Sequence, residues 1–219
     1  MRAFTCSVSY LFKGTLKMTT AFYALEDFPD LANLVANCSV IQEELAALDA
    51  PLLDIDRTNK QHQQVHEELT EYLQQGGDYG WLKGWGAEGG NRNWTQYALL
   101  FRDTPIGPAQ ATMPRTLELF QPLKGIKVVA LARMAPHSLL SLHRHPELTG
   151  EGLLQMHITL SAANEANYSY LNVAGEFYHQ KPGTGAIFDG SLDHFAVNAT
   201  PVQRTIIYME FEKEKFMKH

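Results

Sequence analysis

The segment Leu142-His143-Arg144-His145-Pro146 carries two histidines two residues apart, a spacing that on a β-strand points both side chains to one face. A third histidine closes Phe188-Asp189-Gly190-Ser191-Leu192-Asp193-His194, and Arg204 follows ten residues later. Two imidazoles on one strand face and a third on a distant strand-like segment can close on one side of a divalent ion. The other side then stays open, as a non-haem Fe(II) centre requires. His143, His145 and His194 are therefore the candidate metal ligands, within a stretch running from Met134 to Tyr208.

Around this stretch the hydrophobic period is two. Strands are expected over 94–101, 126–134, 139–145, 153–160, 168–173, 177–180, 186–189 and 205–212, with a short helix over 115–123. Ala174-Gly175 and Lys181-Pro182-Gly183 mark turns. Many short strands at close spacing predict a sandwich or barrel, and a jelly roll keeps its edges short while its interior holds a ligand. Alternation assigns faces as well. Leu154, Met156, Ile158 and Leu160 form an apolar face, so Gln155, His157 and Thr159 line the opposite one, a wet cavity rather than bulk core. Arg204, Ile206, Tyr208 and Glu210 share a side of the last strand. An arginine there, among aromatics, suits a carboxylate, because its fork reaches both oxygens.

The N-terminal part has a different period. Leu31, Leu34, Val35, Ile41, Leu45 and Leu48 approximate a helical stripe from Phe28-Pro29-Asp30 to Pro51. After a loop around Asp54-Ile55-Asp56-Arg57, a second helix carries Val65, Leu69, Tyr72 and Leu73 and stops at Gly76-Gly77. His62 and His66 share a face of that helix, but with no zinc motif around them they are read as solvated surface. Seven glycines between Gly76 and Gly90 predict a loop, and its Trp81 and Trp85 are candidates for a substrate lid. No Gly-Lys-Ser/Thr ending follows, so a phosphate loop is not supported.

Composition limits the function classes. At 219 residues the chain is one large domain or one domain with a helical annex, and 45% apolar with 19% charged residues is ordinary for a globular protein. A formal charge of −6 without a basic patch argues against a nucleic-acid partner. No apolar run reaches the ~20 residues of a membrane span. Cys6 and Cys38 are too few for a disulfide framework, which favours a reducing compartment and a cytoplasmic location. Residues 1–17, with Arg2, Lys13 and Lys17 and no acid, lack the apolar core of a secretory signal; they read as an extension, non-native or disordered, upstream of a regular segment opening at Met18. Without that signal the sequon Asn198-Ala199-Thr200 is a chance match. His137 is read as structural, His179 as exposed on a hairpin arm, and Asp189 or Asp193 either as a carboxylate orienting His194 or as a turn residue.

From about Asn93 to Tyr208 the chain resembles the aspartyl/asparaginyl β-hydroxylase family. The likeness rests, in order, on Trp94-Thr95-Gln96-Tyr97, Leu117-Glu118-Leu119-Phe120, Pro136 with His143 seven residues on, Met156-His157-Ile158-Thr159-Leu160, Gly185, Phe188-Asp189-Gly190-Ser191, His194 and Arg204. The resemblance implies a mainly β fold with an α-helical N-terminal part, the double-stranded β-helix (a cupin-like jelly roll). Together with the periodicity and composition, it divides the chain into 1–17 as extension, 18–90 as helices and Gly-rich loop packed on the barrel, and 91–219 as catalytic core. It also implies an Fe(II)- and 2-oxoglutarate-dependent dioxygenase that consumes O2, releases succinate and hydroxylates an unactivated C–H bond. His143 and His194 would hold iron, Arg204 would pair with the far carboxylate of 2-oxoglutarate, and His157 would lie beside that cosubstrate. Two departures stand out. His145 replaces the Asp or Gly of relatives and offers a third ligand. Gln155 replaces a frequent Arg and weakens one cosubstrate contact. The expected substrate is an aspartyl- or asparaginyl-like amino acid or a peptide. The alternative is a cupin-type metal protein, enzyme or sensor, that uses no 2-oxoglutarate.

Overall fold

Strands that alternate apolar and polar residues must be covered on one face, and strands that are apolar throughout must be covered on both. The computed structural model, which describes residues 20–86 and 89–218, contains both kinds. The extension over 1–17 and Cys6 lie outside the described residues. The chain runs through β1 (Phe22–Tyr23), α1 (Pro29–Ala36), α2 (Cys38–Ala47), β2 (Leu52–Asp56), α3 (His62–Gln74), β3 (Trp81–Gly84), β4 (Asn91–Phe101), β5 (Thr104–Pro105), α4 (Ala109–Thr112) and α5 (Pro114–Phe120). It continues through β6 (Ile126–Met134), β7 (Ser138–His143), α6 (Glu147–Glu151), β8 (Leu153–Ser161), β9 (Ser169–Val173), β10 (Glu176–His179), β11 (Gly185–Phe188), β12 (His194–Asn198), β13 (Arg204–Glu212) and α7 (Lys213–Phe216).

Nine strands form the larger sheet, in the order β1-β11-β8-β13-β6-β4-β3-β2 with β5 paired to β4, and β10-β9-β12-β7 form the smaller one. From β6 onward the chain passes back and forth between the sheets: β6, β8, β11 and β13 lie in the larger, and β7, the β9–β10 hairpin and β12 in the smaller. This winding is the double-stranded β-helix, a jelly roll closed by two sheets.

The larger sheet is covered on both faces. On one, Phe28, Leu31 and Ile41 from the first helices and Leu117 and Phe120 from α5 pack on Tyr97, Leu131, Met156, Ile158, Ile207 and Met209. On the other, Trp94, Met134 and Phe188 meet Leu171, Val173 and Ala196 of the smaller sheet. The face assignment on β8 is borne out: Leu154, Met156, Ile158 and Leu160 join the helix-side core, while Gln155 and His157 line a cavity between the sheets.

Four local expectations are corrected. The stripe over 28–51 is two helices, because Asn37 ends α1 and its backbone serves as the start of α2. Residues 52–56 are strand β2 rather than loop, and they pair in parallel with β3. The Gly-rich stretch supplies β3 itself. Its glycines permit close approach rather than looseness: a Cβ on Gly84 would sit 2.1 Å from the Trp94 ring, and one on Gly80 2.2 Å from the Pro51 carbonyl oxygen. Finally, β7 stops at His143, so His145 is not on a strand.

Candidate active site

His143 is the last residue of β7 and pairs directly with His194, the first residue of β12. The pairing brings the two ring centroids to 4.2 Å. His145 arrives by another route. Its backbone N–H donates to the Gly190 carbonyl (2.9 Å), which places its ring 5.2 Å from that of His143 and 5.5 Å from that of His194. The three rings could hold a metal ion, since one nitrogen from each lies within 4.8 Å of the others.

Tautomers follow from the backbone. Nδ1 of His143 lies 2.6 Å from the Ser141 carbonyl and Nδ1 of His194 2.8 Å from the Leu192 carbonyl. A carbonyl only accepts, so each Nδ1 carries the proton and each Nε2 keeps its lone pair. Burial pushes His143 down to about 4 and His194 down to about 3, with the neighbouring imidazoles adding to the shift. Both rings are neutral at physiological pH, the form a metal needs. Asp189 and Asp193 do not take the orienting role considered for them. Asp189 braces its own turn by accepting from the Ser191 N–H (2.9 Å) and hydroxyl (2.6 Å), and Asp193 lies 4.0 Å from Arg144. Glu147 lies 3.4 Å from Nδ1 of His145 and lines the cavity.

Arg204, first on β13 and 2% exposed, also lines the cavity, which has a volume of about 500 Å³. Its Nη1 donates to the side-chain oxygen of Gln180, and its Nε has no acceptor among the described residues. Burial pushes its pKa down to about 9, which leaves it charged at neutral pH. The amide nitrogen of Gln180 reaches Nδ1 of His157 at 3.4 Å, so one glutamine holds the arginine and the histidine together. His157 is buried and kept neutral, first by desolvation and then by Arg204. The Gln155 amide donates to the Tyr208 hydroxyl (2.8 Å), while its Oε1 is buried without a donor and packs where a Cβ on Gly190 would fall, 2.3 Å away.

The part of the cavity around Arg57 and His62 was not anticipated. His62, expected on the solvated surface, has a side chain only 15% exposed and lies 3.0 Å from Glu210. Arg57 Nη2 donates to its Nδ1 (2.9 Å), so its Nε2–H donates to Glu210. Burial alone would raise the Glu210 carboxyl, but the His62 and Tyr208 donors and Lys127 at 3.9 Å outweigh it and hold the group ionised. Arg57 also donates from Nη1 to the side-chain oxygen of Gln96 and lies 6.0 Å from the Trp94 ring. Burial lowers its pKa, and Tyr208 and Glu210 work the other way. One signal could have found Arg57: Leu53 and Ile55 are the buried residues of β2, and Arg57 continues their phase.

The remaining expectations sort plainly. Trp85 lines the cavity with its ring 5.0 Å from that of His143, whereas Trp81 is core, with the Arg133 guanidinium 3.6 Å from its ring centroid. His66 is half-buried and stacks on Phe101 at 4.4 Å. His179 is half-buried against Tyr170 rather than exposed. Asn198 is fully buried and ties Ala135 and Val202, so the sequon is a structural turn. His137 has a left-handed φ of 51° and donates its N–H to Thr200, a backbone role.

The class is a jelly roll whose cavity gathers three imidazoles that could hold a metal ion and a buried arginine. The model of one family, aspartyl/asparaginyl beta-hydroxylase, matches residues 35–214, and the chain belongs to that family of hydroxylases. It is also similar to an ornithine lipid ester-linked acyl 2-hydroxylase of Rhizobium tropici, with 26% identity over 100 residues that cover 46% of this chain and 34% of that protein. The match thus spans about a third of that relative's length. Among solved structures, an oxidoreductase of the 2OG-Fe(II) oxygenase family from Burkholderia pseudomallei matches at 13% identity and a TM-score of 0.40, covering 55% of this chain and 69% of its own. KdgF from Halomonas sp. matches at 11% and 0.37, over 56% of this chain and 81% of its own. None of the described helices is long and apolar enough to cross a membrane.

Proposed function

We propose that this chain is an Fe(II)- and 2-oxoglutarate-dependent dioxygenase that hydroxylates an unactivated C–H bond of an aspartyl- or asparaginyl-like amino acid or a peptide. The observation that supports this most is the joint placement of His143, His145, His194 and Arg204 around one cavity. The donor set fits the metal: neutral imidazoles suit ferrous iron, and two of the three have the lone pair of Nε2 fixed by a backbone carbonyl. Bound there, iron with 2-oxoglutarate and O2 supplies the oxidising power that no amino-acid side chain has.

The protein's own residues bind and orient. Arg204, held in place by Gln180 and buried in the cavity lining, would pair its guanidinium with the far carboxylate of 2-oxoglutarate. His157 flanks the same position. Gln155 adds an unpaired amide oxygen, which favours a donor on whichever molecule reaches it. Trp85, Trp94 and Phe188 exclude water along the approach to the histidines.

The second reading, a cupin-type metal protein without 2-oxoglutarate, draws on His145, which completes a set of three imidazoles. One experiment separates them. The chain is incubated with Fe(II), 2-oxoglutarate and air, together with amino-acid, peptide and lipid pools, the last because of the acyl substrate in the Rhizobium relative's name. Succinate and a product heavier by one oxygen are expected, and both disappear with Arg204→Gln. Stoichiometric metal binding with no succinate from any pool favours the second reading.

A further inference from the structure

Three guanidinium groups line the cavity. Arg144 is exposed and lies 4.0 Å from Asp193, whereas Arg57 and Arg204 are in no ion pair among the described residues. Arg57 spends its donors on neutral acceptors: Nη1 on the Gln96 amide, Nη2 on His62, and Nε on nothing. Glu210, the acid whose charge acts on Arg57, is engaged elsewhere, by the His62 N–H, the Tyr208 hydroxyl and Lys127. An imidazole of fixed tautomer stands between the arginine and that acid, and Arg57 lines the cavity.

The two cations also sit apart along the larger sheet, Arg57 following β2 and Arg204 opening β13, four strands away. Gln96, which holds Arg57, aligns through Ala132 with Ile206, so it lies two strands across and one pleat repeat along from Arg204, roughly 12 Å between Cα atoms. From Arg204 the way to the histidines runs through His157 and Phe188 to His194. From Arg57 it runs along Trp94 and Trp85 to His143. We propose that Arg57 is the specificity residue for the substrate: it binds a carboxylate of the molecule to be hydroxylated, whose body lies along Trp94 and Trp85 with its reacting carbon toward His143, while Arg204 serves the cosubstrate. The assignment rests on the dioxygenase reading of the site and narrows its substrate to acids.

The test uses the full chain loaded with Mn(II), which replaces iron without turnover, and N-oxalylglycine as a stable mimic of 2-oxoglutarate. With the mimic bound, N-acetyl amino acids and free dipeptides are titrated beside their C-terminal amides, and affinities are read by calorimetry or ligand-observed NMR. Wild-type chain is expected to prefer acids by about tenfold or more, as a site built for hydrogen bonds rejects a ligand that leaves them unmade. Arg57→Gln is expected to erase the preference and Arg57→Lys to keep part of it, each with the affinity for N-oxalylglycine changed less than threefold. If N-oxalylglycine binds but wild type treats acids and amides alike, binds neither, or prefers phosphorylated probes, the role of Arg57 is overturned alone. The same holds if Arg57→Gln retains the preference. Failure of N-oxalylglycine to bind the metal-loaded chain overturns the dioxygenase reading, and this inference with it. Should Arg57→Gln not fold, the wild-type comparison and Arg57→Lys still decide.

Discussion

At His143 and His194 a main-chain carbonyl holds Nδ1, and this single contact sets both the tautomer and the aim of Nε2. His145 has no such brace; Glu147 at 3.4 Å is the group beside its Nδ1. As proposed metal ligands, the three should therefore be unequal. His143→Ala and His194→Ala are expected to weaken Mn(II) or Fe(II) binding by more than about a hundredfold, and His145→Ala by about tenfold, as measured by metal titration. Equal losses at all three would show a symmetric three-histidine centre. These positions were legible from sequence because a strand end and a fixed interval to Arg204 leave a linear trace. Glu210 was legible only as sharing the Arg204 side of the last strand, and Gln180 and Gln96 leave no trace of their roles: a buried amide becomes part of a site only when distant strands bring its partner.

The strand that carries Gly84 shows how an element can hide. Glycine density over 76–90 reads as a loop, yet Gly84 lies in β3 because the Trp94 ring and carbonyl of β4 leave no room for a Cβ, at 2.1 and 2.4 Å. Trp94 in turn lines the cavity beside Trp85. Gly84→Ala must push this tryptophan aside and is expected to cost about 1–3 kcal/mol, lowering the Tm by about 3–10 °C in a thermal melt. An unchanged Tm would mean that the β3–β4 contact is loose. Strands β6, β8 and β13 were readable because their alternation or continuous apolar character reflects what covers each face. β2 was not, since its five residues alternate with acids and resemble a turn-rich loop. Its buried phase, Leu53 and Ile55, is the thread that leads to Arg57.

Across the whole molecule the cavity concentrates groups that burial keeps neutral. His143, His157, His194 and His62 all have pKa values below the ordinary 6.5, with desolvation the first cause in each case. The unfolded chain takes up protons at these positions below about pH 6.5 while the folded chain does not until about 4 for His143 and about 3 for His194. Stability of the metal-free protein is thus complete above pH 6.5 and falls as pH drops from there toward 4. Each such group adds up to ~1.4 kcal/mol per pH unit to the slope. Urea melts between pH 7.5 and 4.5 measure this, and a flat profile would contradict the buried, uncharged state of the rings. The jelly-roll architecture was legible as a class from strand spacing. The way the first helices and β2–β3 widen the larger sheet was not, because pairing between distant segments is set by tertiary packing rather than by local pattern.

In the proposed site 2-oxoglutarate is held jointly by the metal at the histidines and by Arg204. Calorimetric titration of 2-oxoglutarate into the Fe(II)-loaded chain under nitrogen tests this most directly. Binding is expected only with the metal present, and Arg204→Gln is expected to weaken it by about 2 kcal/mol, some thirtyfold. Binding that is indifferent to the metal or to Arg204, or no binding at all, would contradict it.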